Sequence, residues 1–152
     1  MNEQAVFQQV SFWRENLTKL LDSMTEEELD RISSGFNNNP RWNIGHSIVT
    51  WDGVITNALG QESQLPSHYP ALFARGTSPK EWGENVPSKE ELLEQVKQHG
   101  KRMEELASGK LGEPLGFEML HLKTIEEAFL FLASHEAHHI GTASAQNRAA
   151  QA

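Results

Sequence analysis

The chain has 152 residues, a size for one domain with one core, and its 13 Lys and Arg against 21 Asp and Glu, with no basic run, exclude a general nucleic-acid binder. Cysteine is absent, which removes disulfides and thiolate ligands and leaves imidazole and carboxylate as the strong metal donors. No basic segment leading into an apolar one opens the chain, and no apolar run approaches the roughly 20 residues that span a bilayer, so a cytoplasmic protein without a membrane or nucleic-acid partner is expected.

Residues 4 to 22 place Val6, Val10, Trp13, Leu17, Leu20 and Leu21 at steps of three and four, the period of an amphipathic helix. Thr25 followed by Glu28 is a capping-box pattern, so the helix restarts or bends near Met24 and reaches about Ile32, where Ser33-Ser34-Gly35 ends it. Asn16-Leu17-Thr18 fits a glycosylation sequon, a chance match in an unsecreted helix.

Asn39 as cap and Pro40 at the first position predict a second helix running to about Leu59, before Gly60. It carries two stripes. Ile44, Ile48, Trp51, Ile55 and Ala58 form one, and Trp42, His46, Val49 and Gly53 form a weaker one on another side. Spacing alone does not say which faces the core, and His46 stands on the weaker stripe. A helix apolar on two sides suits a bundle that also dimerises, so a homodimer is expected.

Pro66, Pro70, Pro79 and Pro87, with Gly76 and Gly83, break up residues 61 to 87 into a long connection with at most a short helical turn near Ala71. Such a length is uncommon inside a compact domain, and a substrate-covering role and a plain crossover are both open. Ser88 with Glu91 opens a third helix, on which Leu92, Val96, His99, Met103 and Leu106 recur until Gly109. Residues 110 to 123 are expected to be a loop punctuated by Gly and Pro. Thr124 with Glu127 caps a fourth helix reaching Arg148.

That last helix carries chemistry. His135 and His139 are four apart on the apolar side of Ile125, Ala128, Phe129, Leu132, Ile140 and Ala143, so their rings stand one turn above the other, a metal-ligand spacing. The run His135-Glu136-Ala137-His138-His139 also fits HExxH, which would make Glu136 a general base. A zincin usually finds its third ligand downstream, but no Asp, Glu, His or Cys follows His139, so that reading is minor and Glu136 is a weak candidate for a base or a ligand-supporting group.

Four helices of about 20 residues, with no strand pattern, predict an all-α four-helix bundle, up-down-down-up, with the long crossover between helices two and three. Helices two and four can then be neighbours. His46 becomes the natural third ligand beside His135 and His139, with contributions from His68, His99, His121 and His138 undecided.

With these residues placed, the chain resembles the DinB-like (DinB/YfiT-like) superfamily over nearly its whole length. WNIGHSIVTWDG is similar to that family's helix-two histidine segment, LFARGTSPKEW to its crossover, and HEAHHIG to its paired histidines. The family often has Gln after the final His-x-Gly, where this sequence has Thr142. The resemblance implies a divalent metal held by His46, His135 and His139, and a metal-dependent S-transferase joining a low-molecular-weight thiol such as bacillithiol to a small electrophile. Three neutral imidazoles leave a coordination position open on the metal, as catalytic sites do, and such a metal can lower the pKa of a bound thiol or water. Zinc or nickel is expected, although imidazole also suits copper and iron. Two other readings are a metal-dependent hydrolase and a non-catalytic stress-response or binding protein with a structural metal.

Overall fold

The computed structural model describes residues 2–151, and these are mostly helical, with six α-helices. They are α1 (Glu3–Ser23), α2 (Glu26–Asp30), α3 (Pro40–Ala58), α4 (Tyr69–Phe73), α5 (Lys89–Ala107) and α6 (Ile125–Ala150). The four long ones match the expected helices to within about two residues.

The starts follow the expected caps. Thr25 and Thr124 each make both halves of a capping box, with Glu28 and Glu127. Asn39 accepts from the Trp42 N–H, and Ser88 accepts from that of Glu91.

Residues 110 to 123 correct the all-helical expectation. Pro114–Met119 (β1) and Leu122–Thr124 (β2) pair as an antiparallel hairpin, with Met119 opposite Leu122. Leu115 is buried, Phe117 and Met119 lie partly under the core, and their alternation is the period of a strand.

The helices pack in a ring, α1 on α5, α5 on α3, α3 on α6 and α6 on α1. Two core clusters show how they run. In one, Val6, Phe7 and Val10 from the start of α1 meet Trp51 and Ile55 late in α3, Met103 late in α5, and Ile125 and Phe129 early in α6, with the hairpin's Leu115 and Leu122. In the other, Leu17 and Leu21 late in α1 meet Ile44 and Ile48 early in α3 and Leu92 and Val96 early in α5, together with Tyr69 and Phe73 of α4.

Arg41 locks the turn into α3. It is 2 % exposed, donates from Nε to Asp30 Oδ1 at 2.7 Å and from Nη1 to the Pro87 carbonyl at 2.8 Å, and pairs with Glu26. A charge so deep is tolerated because each of its donors has a partner. The result ties α2, α3 and the end of the crossover together at the end of α3 that carries His46.

Candidate metal centre

α3 presents its core stripe and the first turns of its weaker one to protein, while Val49 is half-buried and Gly53 exposed. Ile44, Ile48, Trp51 and Ile55 enter the core, and Trp42 and His46 are buried beneath the crossover of the same chain. The seam between α3 and the crossover closes tightly at Gly45. A Cβ there would fall 2.4 Å from the Phe73 ring, so only glycine admits the ring this close. That contact brings the Phe73 carbonyl to 2.8 Å from His46 Nδ1.

A carbonyl can only accept, so His46 Nδ1 carries the proton and Nε2 keeps its lone pair. Trp42, one turn before His46, stacks on the imidazole with centroids 4.5 Å apart and planes 9° apart, and its Nε1 donates to Thr77 Oγ1 at 2.9 Å. The ring is thus held by its edge and its face.

His139 is oriented in the same way. Its Nδ1 lies 2.7 Å from Asn43 Oδ1. The Asn43 amide is turned by its Nδ2, which donates to Asn38 Oδ1, the Asn39 carbonyl and Gln146 Oε1 at 2.9 to 3.1 Å. The oxygen therefore faces His139, and His139 Nε2 is also a free lone pair. Gln146 closes the set by donating from Nε2 to Asn38 Oδ1 at 2.7 Å.

One ring nitrogen from each of His46, His135 and His139 lies within 4.8 Å of the other two. His135 Nε2 and His139 Nε2 are 3.2 Å apart, close to the separation of about 3.3 Å between two nitrogens bound tetrahedrally to one ion at about 2.0 Å. The donor set fits a divalent metal of the imidazole-binding kind. His135 Nδ1 is buried without a partner among the described residues.

Burial keeps these rings neutral. It lowers the His135 pKa to about 4 and, aided by His135 and His46, that of His139 to about 3. His46 is lowered by burial as well, with Arg75 adding to the effect. Neutral imidazole is the metal-binding form.

The remaining histidines stand elsewhere. His68 and His121 are exposed in the crossover and at the hairpin turn, and His138 is exposed beside His139. His99 is buried in a second polar group that also holds Glu136. Glu136 is fully buried and takes Arg14 Nη2 at 2.8 Å, Arg14 Nε at 3.1 Å and Ser47 Oγ at 3.0 Å. It is not among the groups that converge with the three imidazoles.

Arg14 reaches across because Gly100 on α5 leaves room, a Cβ there lying 2.9 Å from Arg14 Cγ. Its Nη1 also donates to His99 Nδ1 at 3.1 Å. That contact fixes neutral His99 with its proton on Nε2, 3.4 Å from Asp52 Oδ1. Burial lowers the His99 pKa to about 4.

Asn43, Gln146, the Phe73 carbonyl and Arg14 were not found from the sequence. The only available hint was position. Asn43 lies three residues before His46 and so shares its side of α3.

The DinB superfamily family model matches residues 9–143, and the chain belongs to that superfamily. The fold is similar to the crystal structure of a conserved protein from Enterococcus faecalis, with a TM-score of 0.63 and 15 % identity over 96 % of this chain and 95 % of that one. At that identity the likeness concerns the fold alone. No curated protein matches.

Proposed function

We propose that the chain is a metal-dependent enzyme of the thiol S-transferase type, in which His46, His135 and His139 hold a divalent ion, zinc or nickel, and a small electrophile is the substrate. The observation that carries this is the convergence of three imidazole nitrogens, two of them on rings whose Nδ1–H is held by an oxygen. Such holding groups fix ring orientation and raise ligand basicity. Among the described residues no fourth His, Asp or Glu joins the cluster, which suits a site that takes a ligand better than a closed structural one.

A divalent ion supplies Lewis acidity that makes a thiolate available at neutral pH. The chain's own residues orient the imidazoles through Phe73 and Asn43 and shield one face of His46 with Trp42. With no cysteine in the sequence, the thiol comes from a small molecule such as bacillithiol. The hydrolase alternative wants a base, and the Glu136 carboxylate is turned toward Arg14 and Ser47. In this reading Glu136 fastens α1 to α6 behind the metal centre.

The reading also takes α1, α3, α5 and α6 as one up-down-down-up four-helix bundle, supported by the way opposite helix ends share each core cluster. We propose a cytoplasmic protein, and among the described residues no helix is long and apolar enough to cross a membrane. A homodimer cannot use Trp42 and His46, which the crossover covers. Phe12, 54 % exposed on α1, is the larger apolar side chain left for one on that helix.

The test is an assay of thiol plus simple electrophile against an activated ester, with and without chelator, on protein purified without a nickel column and analysed for metals. Chelator-sensitive turnover of the thiol pair alone is expected. Ester hydrolysis without thiol turnover would replace the transferase with the hydrolase, and full metal occupancy with neither activity would favour a structural metal.

A further inference from the structure

The chain offers its metal centre a cation and no counter-charge. Five residues of the crossover, Phe73 to Thr77, are pinned at both ends to the turn of α3 that carries His46. Phe73 is pinned through its carbonyl on His46 Nδ1, and Thr77 through its hydroxyl on Trp42 Nε1. Thr77 further donates within the segment, lying 2.6 Å from the Ala74 carbonyl, so the loop is closed on itself. Arg75 stands in the middle of this short loop, exposed, beside Gly76 at φ +89°.

The Arg75 guanidinium makes no hydrogen bond or ion pair among the described residues, and its backbone is two residues from the Phe73 carbonyl that holds His46. Among the described residues no Asp or Glu joins the three imidazoles, and Glu136 is the acidic residue that stands between His135 and His139 on α6. Glu136 is already neutralised by Arg14. A divalent ion on three neutral imidazoles keeps its full charge, and a guanidinium is charged at every relevant pH. Two uncompensated positive groups, one at the centre and one on the loop that holds His46, favour an anion that joins them. The protein carries 21 acidic residues, yet none supplies that anion.

We propose that Arg75 is a substrate-binding residue, and that the small molecule taken up at the three-histidine centre carries a carboxylate, which the guanidinium holds while the other end of the molecule faces His46, His135 and His139. The fork of a guanidinium matches the two oxygens of a carboxylate. The pinned loop lowers the entropy lost on forming that pair, because the backbone on either side of Arg75 is already fixed. This inference rests on the thiol reading for the identity of the reacting end, and on Arg75 alone for the charge of the other.

The test uses the cobalt-loaded protein, whose visible absorption reports ligands entering the centre, titrated with mercaptosuccinate, neutral 2-mercaptoethanol and thiol-free succinate. The wild type should bind mercaptosuccinate about tenfold or more tighter than 2-mercaptoethanol, the scale of one charge-assisted pair. Arg75→Gln should bring the two within about threefold, through weaker binding of mercaptosuccinate. Arg75→Lys should restore part of the difference. Equal binding of both thiols by the wild type, or a preference that survives in Arg75→Gln, overturns the proposal. If neither thiol moves the spectrum, the thiol chemistry is wrong and succinate decides on Arg75 by itself. A spectral change with succinate in the wild type and not in Arg75→Gln upholds the anion site, and no change in either overturns it.

Discussion

Gly45 and Phe73 meet so closely that a Cβ on residue 45 would stand 2.4 Å from the aromatic ring, and the same residue 73 offers the carbonyl that fixes His46. The orientation of one candidate ligand therefore depends on the absence of a side chain at its neighbour.

Gly45→Ala tests that dependence. Alanine favours a helix by about 1 kcal/mol over glycine, but here the ring must move, and overpacking of this kind costs about 1 to 3 kcal/mol. As Phe73 withdraws, its carbonyl leaves His46 Nδ1. Metal affinity should fall roughly ten- to a hundredfold, the usual effect of losing a group that holds a ligand, in a competition titration against a coloured chelator. Unchanged affinity in a less stable protein would show that His46 keeps its place without Phe73.

Glu136 gives a second prediction, because a buried partner and a general base behave differently when removed. Glu136→Ala strands the Arg14 guanidinium, which is 7 % exposed, and breaking one side of a buried pair costs about 3 to 5 kcal/mol. Replacing both residues, Arg14→Met with Glu136→Met, should be much less damaging than Glu136→Met alone, since apolar substitutes for a buried pair are often neutral. Denaturant unfolding of the three variants checks this. Equal loss in the single and double Met variants would mean that the two side chains do not depend on each other.

The helices and their caps were legible because they are local. Thr25 with Glu28 and Thr124 with Glu127 need only neighbouring residues, as does the one-turn spacing of His135 and His139. The buried state of His46 was not legible, since its cover arrives with Phe73, 27 residues later. Likewise Asn43 and Gln146 are 103 residues apart, and Arg14 and Glu136 are 122 apart, so each reads as an ordinary polar helix residue until its partner is known. The hairpin was hidden differently. Leu115, Phe117 and Met119 alternate as strand residues do, but Pro114 and Gly116 among them look like loop punctuation.

Leu120, at the tip of that hairpin, has φ +52°. The left-handed region costs an ordinary side chain about 1 to 2 kcal/mol, and at 71 % exposure Leu120 has little packing to offset it. Leu120→Asn should raise stability by about 1 kcal/mol, because asparagine tolerates this backbone. A higher denaturant midpoint with an unchanged slope is the expected reading. A lower midpoint would mean that the leucine side chain packs against something that asparagine cannot replace.

The neutral histidines predict how the metal-free protein responds to acid. An unfolded histidine titrates near 6.5, whereas burial lowers the pKa of His99 and His135 to about 4 and that of His139 to about 3 in the folded chain. Between these values the unfolded state binds more protons than the folded one, so stability rises with pH. It is fully present above about pH 6.5 and is lost as the pH falls toward 4, with the His139 contribution persisting toward 3. Urea midpoints of the metal-free protein should therefore drop steadily between pH 7 and pH 4.5. His135→Gln with His139→Gln should show a shallower fall, leaving mainly the part due to His99 and to carboxylates held below their ordinary range, such as Asp52. If the double variant loses stability with pH as steeply as the wild type, the two imidazoles of α6 are not held neutral by the fold.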